Sequence, residues 1–355
     1  MLESYSTGQN RHGHNVRPRV DLRSDTVTQP DARMREAMVQ APLGDDVYGE
    51  DPTVIRLQDK AAELLGKEAG LFLSSGTQSN LTALLSHCNR GEEYITGRPY
   101  HTFSAEAGGA AVLGGIAPHP LDVGADGGLD ADEVKAAIKP DDYHYPITRL
   151  ISLENTVSGQ VIPLGDLHKI IDIARAAGLN IHLDGARLMN AAVALQVPPA
   201  EITSGFDSVS LCLSKGLGAP VGSVLCGSRQ FIAKARRNRK ILGGGMRQSG
   251  VLAACGLVAL DHNIDRLAID HTNARRLADA LSDIPDIEIE GPVETNMVFI
   301  SPRPGTNEGL RRHLEEQGIV IGDSEPTIRL VTHLDIAQDD VDLVAGCVRD
   351  FYLGN

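Results

Sequence analysis

The chain has 355 residues, 42% hydrophobic and 23% charged, with a formal charge of −14. That length suits a sizeable buried core and accommodates two domains, and the composition excludes disorder throughout. The acidic balance, with 4% aromatics and no tryptophan, argues against a nucleic-acid partner, which needs phosphate neutralisation and base stacking.

Residues 1–19 are polar, carry His12, His14 and three arginines, and lack the apolar stretch of a signal peptide. They read as a flexible N-terminal arm. The run Ala107 to Ala117 holds four glycines and is too short to span a bilayer, so no membrane partner is expected. Cys88, Cys212, Cys226, Cys255 and Cys347 sit among apolar neighbours with no C-x-x-C. Reduced thiols in a cytoplasmic protein fit better than a disulfide or zinc framework.

Val20 to Thr26 reads as an extended segment of alternating charge, and Pro30 to Gln40 spaces Met34, Ala37 and Met38 as a helix does. Gly44 to Val54 (GDDVYGEDPTV) is too rich in Gly, Asp and Pro for a regular element and reads as a loop. A helix over Leu57 to Leu65 leads to a strand, Ala69 to Leu73. SSGTQSN (Ser74 to Asn80) then opens a helix ending near Cys88. Hydroxyls and a glycine there are first of all capping residues, and the same terminus offers free N–H groups to an anion.

Glu92 to Thr96 is a strand, followed by His101 in Tyr100-His-Thr102 and a small-residue helix, Ala107 to Gly115. A turn-rich strand and a helix from Asp130 to Ile138 come next. Leu150 to Glu154 is a strand running into Asn155-Thr-Val-Ser-Gly159, and Leu164 to Ala177 is an amphipathic helix. Ile181 to Asp184 ends in an acid, with Arg187 three residues on. Val209 to Leu213 stops at Ser214-Lys215, before Gly216, Gly218, Pro220 and Gly222. Strands alternating with helices predict an α/β fold with a mostly parallel sheet covered on both faces. Ligands in such sheets sit at the carboxyl ends of strands, where Asn155, Asp184 and Lys215 fall.

Lys234 to Lys240 (KARRNRK) reads as a solvated helix face. GGGMRQSG (Gly243 to Gly250) is a flexible loop whose Arg247 suits a phosphate. After a helix from Val251 to Leu260 the composition shifts to a long charged helix, Asp261 to Leu281. Short strands (Ile287 to Ile289, Met297 to Ile300) and two more helices follow. This predicts a large domain over 20–260 and a smaller α+β C-terminal domain over 261–355. Arg329, in Ile328-Arg-Leu-Val-Thr-His333, reads on its own as a strand-surface charge.

A lysine between a buried strand and a glycine-rich turn is partly desolvated, which frees its amine as a nucleophile. Paired with a carboxylate at a neighbouring strand end, it meets the needs of pyridoxal 5'-phosphate. The lysine bonds the aldehyde, and the acid keeps the ring nitrogen protonated. With GDDVYGEDPTV, SSGTQSN and GGGMRQSG, the chain resembles the threonine aldolase branch of the fold-type-I pyridoxal enzymes from Asp21 to about Phe351.

That resemblance implies an aspartate-aminotransferase-like fold and cleavage of β-hydroxy-α-amino acids to glycine and an aldehyde. It makes Lys215 the cofactor lysine, Asp184 the partner of the ring nitrogen and Arg187 its neighbour on the O3′ side. His101 stacks on the ring and moves a proton, while Gly76 and Thr77 bind the phosphate. Arg247 clamps that phosphate from a partner chain, so a homodimer or homotetramer with shared sites is implied, and Tyr48 reaches the neighbouring site. Ser24 and Arg329 hold the substrate carboxylate, and Lys240 matches a position close to the site. No metal is implied, since no clustered ligand set is visible. Many relatives carry a histidine where Val157 stands, and valine neither donates nor accepts a proton. Another fold-type-I enzyme acting on small amino acids, a β-eliminating lyase, aminotransferase or racemase, shares Lys215, Asp184 and Arg329 and remains the alternative.

Overall fold

The computed structural model of the chain describes residues 17–354, so most of the N-terminal arm lies outside the described residues. In chain order the strands are β1 (Val20–Asp21), β2 (Ala69–Leu73), β3 (Glu92–Gly97), β4 (Ala117–Leu121), β5 (Ile147–Glu154) and β6 (Asn180–Gly185). Then come β7 (Ser208–Cys212), β8 (Ser223–Gly227), β9 (Ile287–Ile289), β10 (Met297–Pro302), β11 (Ile319–Val320) and β12 (Ile328–Val331). Seven of them form one sheet in the order β2-β8-β7-β6-β5-β3-β4. From β4 to β7 neighbours run parallel, and β8 alone runs against both β7 and β2. Every residue of β7 and β8 is buried, as expected of a sheet with helices on both faces.

The largest core lies between this sheet and its helices, around Phe72, Ile151, Leu183, Val209, Leu211 and Val224. A second core gathers Leu277, Leu281, Val298, Ile300, Leu310, Leu330 and Val344 under the antiparallel sheet β12-β10-β9. Val20 and Leu22 belong to that second core, because β1 pairs in parallel with β11. The start of the described chain is thereby pinned beside Arg329 on β12.

Capping explains where the helices depart from the expected bounds. The segment expected to be loop up to Val54 turns helical at Pro52. Asp51, fully buried, accepts from the N–H groups of Thr53 and Val54, and Pro52 has the preset φ favoured in a first turn. Asp51 also accepts from Gly250 N at 2.9 Å, fixing the loop 44–50 against the helix Gly250–His262. The long charged helix begins at Leu267, six residues later than expected. Asn263 ends the preceding helix and donates to Leu217 O at 2.8 Å, which braces the turn after Lys215.

The basic run is not all solvated. Arg239, 3% exposed, donates to Asp46 Oδ2 at 2.8 Å and to Phe72 O at 2.8 Å. Lys234, Arg236, Arg237 and Lys240 stay exposed. Asp46→Ala strands the Arg239 guanidinium inside the protein, and breaking a buried pair in this way costs about 3–5 kcal/mol. Urea unfolding should show a lower midpoint at unchanged slope. An unchanged midpoint would mean that the pair does not hold this loop.

Candidate active site

Parallel pairing sets the ends of β5, β6 and β7 side by side. Glu154 is the register partner of Asp184, and Asp184 that of Ser210. Lys215 follows three residues after β7 in a turn closed by Gly218 N donating to Lys215 O at 2.8 Å. Gly218 has φ +78°, and a Cβ there would meet Leu334 at 2.5 Å, so glycine is required. Lys215 is half-buried, with no hydrogen bond or ion pair to another side chain among the described residues.

Asp184, 2% exposed, accepts from Ala186 N at 3.0 Å and from Asn80 Nδ2 at 2.7 Å. Asn80 donates its second amide hydrogen to Glu106 Oε1 at 2.8 Å, which also bonds His101 Nδ1 at 2.8 Å. His101 in turn donates its backbone N–H to Glu154 Oε2 at 2.7 Å. The hydrogen bond to Glu106 raises the His101 imidazole above its ordinary pKa, against the opposing effect of burial. Burial raises the Glu106 carboxyl. Burial first, and the charge of Asp184 second, push the Glu154 carboxyl well above the ordinary range.

Ligand atoms of His101, Glu106 and Asp184 lie within 4.8 Å of one another, a grouping the sequence did not reveal. Asn80 aims an N–H at both acids, which a cation would have to displace, so the grouping is a hydrogen-bonded hub.

On the other side of Lys215, Arg187 grips Asp25 through Nε at 2.8 Å and Nη2 at 2.7 Å. Asn296 Nδ2 adds a contact to Asp25 at 3.3 Å. Burial alone would raise the Asp25 carboxyl, but the guanidinium, then its hydrogen bonds and the charge of Lys215, hold it down to about 2. Ser24, next in sequence, accepts from Thr26 N at 3.2 Å, and Arg329 Nη2 donates to Arg23 O at 3.2 Å. Arg187, Asp25, Ser24 and Arg329 therefore share one corner of the site.

At the start of the helix Gly76–His87, Ser75 Oγ accepts from Gln78 N at 3.1 Å. The N–H groups of Gly76 and Thr77 have no backbone acceptor among the described residues. A Cβ on Gly76 would find only Cys212 Sγ, at 3.9 Å, so the space over this helix start is open.

Arg247 and Tyr48 are not brought to Lys215 within the chain. Arg247 lies on the surface, donating to Asp45 Oδ2 at 2.7 Å, and Tyr48 on the same loop is 75% exposed. Lys240 is exposed next to Gly245. Asn155 turns from the site to bond the backbone of Ile162, and Val157 is buried against Gly127.

Asn80, Glu106, Glu154 and Asp25 were not singled out from the sequence. Weak signals existed: Asn80 lies one helical turn past Gly76, and Asp25 adjoins Ser24.

A family profile described as beta-eliminating lyase matches residues 21–303. The chain belongs to the beta-eliminating lyase family. Among curated members it is 51% identical over 333 residues to a low specificity L-threonine aldolase of Escherichia coli, covering 94% of this chain and 99% of that one. It is 46% identical to low-specificity L-threonine aldolase 1 of Arabidopsis thaliana, covering 94% and 96%. By structure the chain is similar to Leishmania major threonine aldolase, with TM-score 0.80, 21% identity and coverage of 94% and 99%. It is also similar to a serine palmitoyltransferase of Sphingomonas wittichii, with TM-score 0.75, 18% identity and coverage of 93% and 86%. The expected aspartate-aminotransferase-like α/β fold, with its mostly parallel sheet and smaller C-terminal domain, is the fold this family member has.

The Glu154 carboxyl makes a test of the strand-end electrostatics. Its pKa in the fold lies above the ordinary 4.5. Its contribution to stability is therefore whole below that value and lost as pH rises through the folded one. Glu154→Gln keeps an acceptor for the His101 N–H. Urea unfolding of the cofactor-free protein should show the variant gaining on its parent as pH rises above about 4.5. A difference constant across pH would contradict the assignment.

Proposed function

We propose that this enzyme cleaves L-threonine, L-allo-threonine and related β-hydroxy-α-amino acids to glycine and an aldehyde with pyridoxal 5'-phosphate. The observation that carries the reading is Lys215, without an ion-pair partner among the described residues, in the turn after the strand next to the one bearing the buried Asp184. The relatives named as threonine aldolases support it.

The residues fit the cofactor. Lys215 supplies the amine, Asp184 a counter-charge for the ring nitrogen, and Gly76 and Thr77 unused N–H groups at a helix start for the phosphate. Bound there, the cofactor supplies an electron sink for the bond being broken. Asp25 occupies Nε and Nη2 of Arg187, which leaves Nη1 for the cofactor or substrate. Arg329 and Ser24 hold the substrate carboxylate, a task that suits the planar fork of arginine. With Nδ1 committed to Glu106, His101 has Nε2 to accept the hydroxyl proton, and its raised pKa strengthens it as a base.

We infer a homodimer or homotetramer with shared sites, in which Arg247 and Tyr48 serve a neighbouring chain. Leu43 and Val47, exposed beside Tyr48, support an interface there. Free cysteines support a cytoplasmic location. The two cores support a domain division near residue 260, with β1 joining the second unit.

Lys215→Ala should abolish glycine release from L-threonine while leaving the far-ultraviolet circular dichroism intact. Retained turnover would overturn the reading.

Val157 bears on selectivity. Epimers at Cβ exchange hydroxyl and methyl, and a histidine bonded to one orientation is left unpaired with the other, costing about 1–3 kcal/mol. Valine removes that penalty, and shape in an apolar wall discriminates only roughly 10- to 200-fold. The kcat/KM values for L-threonine and L-allo-threonine should therefore differ by less than about 200-fold, and Val157→His should widen the gap. A preference of about a thousandfold, untouched by Val157→His, would show that another residue selects.

A further inference from the structure

Behind the site, the helix Gly76–His87 carries a buried polar line that the aldolase reading leaves unused. Asn80, 1% exposed, spends both amide hydrogens on Asp184 and Glu106. Its Oδ1 faces His182 Nε2 at 3.3 Å. His182 Nδ1 is 2.8 Å from Ser208 Oγ, which is 2.7 Å from His87 Nε2. All of these groups are buried.

With both acids ionised, one proton arrangement satisfies them. Two acids must face donors, so Nδ2 of Asn80 points at them and Oδ1 is left to accept from His182 Nε2–H. Burial above all pushes both histidines down to about 3, with the charge of Lys234 adding to it for His87, so each is neutral and carries one proton. His182 Nδ1 is then an acceptor for the Ser208 hydroxyl, and Ser208 Oγ accepts from His87 Nε2–H. Flipping Asn80 would set its oxygen against two carboxylates and break every link.

We propose that Asn80 is a positioning residue, locked in one orientation by His182, Ser208 and His87, that keeps Asp184 and Glu106 ionised side by side. Adjacent buried carboxylates repel, and such a pair takes up a proton unless donors stabilise both charges. With both acids ionised, Glu106 holds a proton on His101 Nδ1, and Asp184 stays an anion. The inference deepens the aldolase reading of this site and rests on it for its catalytic meaning, while the hub itself is tested without turnover.

His101 is the reporter. The titratable groups around it are Glu106, Asp184, Lys215 and, through its own backbone N–H, Glu154. Glu106 is faced by His101 and Asp184, and Tyr94 lies near it. Asn80→Leu removes both donors, so a proton settles on the acid pair and the charge-assisted bond to His101 weakens.

The experiment follows the His101 ring proton by NMR against pH in the full-length holoenzyme, the signal being assigned by its loss in His101→Asn. The His101 midpoint should fall by about one pH unit or more in Asn80→Leu and by less in Asn80→Ser, which keeps one donor. Ser79→Ala, which removes the neighbouring Ser79–Ser210 bond of 2.7 Å, should leave it in place. An unchanged midpoint in Asn80→Leu, or an equal shift in Ser79→Ala, overturns the proposal. Should Asn80→Leu not fold, an unchanged midpoint in Asn80→Ser overturns it alone. Glycine release measured in parallel separates the two ideas: an inactive parent with the expected shifts would sink the aldolase reading and keep the hub.

Discussion

The bidentate pair between Asp25 and Arg187 is the contact on which the geometry of the site depends. Asp25 follows β1, which packs on the second core, and Arg187 follows β6, the middle of the large sheet. Asn296, just before β10, donates to the same carboxylate. A charge pair this deeply buried tolerates little displacement, because an unpaired partner would be left in a poorly solvating interior. The two cores are thereby fixed relative to each other where Ser24 and Arg329 lie and where the charge of Lys215 acts on Asp25.

Around that contact the site balances charge locally. Arg187 answers Asp25, His101 answers Glu106, and Asn80 supplies the neutral donors that Asp184 and Glu106 share. Lys215 has no acid of its own among the described residues, so its amine is not held in a salt bridge. That is the condition a nucleophilic lysine requires. The two loops bearing Tyr48 and Arg247 are held differently, to each other by Arg247–Asp45 at the surface and to the helix behind by the buried pair Asp46–Arg239. Both present side chains outward.

Much of this was legible in the sequence because it depends on short-range pattern. Apolar runs of strand length fell on β2 and β9 without adjustment, and parallel-sheet geometry places Asp184 and Lys215 at neighbouring strand ends. The partners were not legible. Asp25 and Arg187 are 162 positions apart, Asn80 and Asp184 are 104 apart, and Asp46 and Arg239 are 193 apart. Periodicity reports which face of an element is buried, not what charge waits opposite, so Arg239 read as solvated and Asn80 as a capping neighbour. The late start of the helix at Leu267 had the same origin, a long-range bond from Asn263 to the turn after Lys215.

The central claim, that Lys215 and its neighbours break the Cα–Cβ bond and not a bond to a β-leaving group, is tested most directly by product stoichiometry. The enzyme is incubated with L-threonine, and glycine, acetaldehyde, ammonia and keto acid are quantified together. The account predicts glycine and acetaldehyde in equal amounts, with neither ammonia nor keto acid above background. Ammonia and keto acid in equal amounts, without glycine, would contradict it.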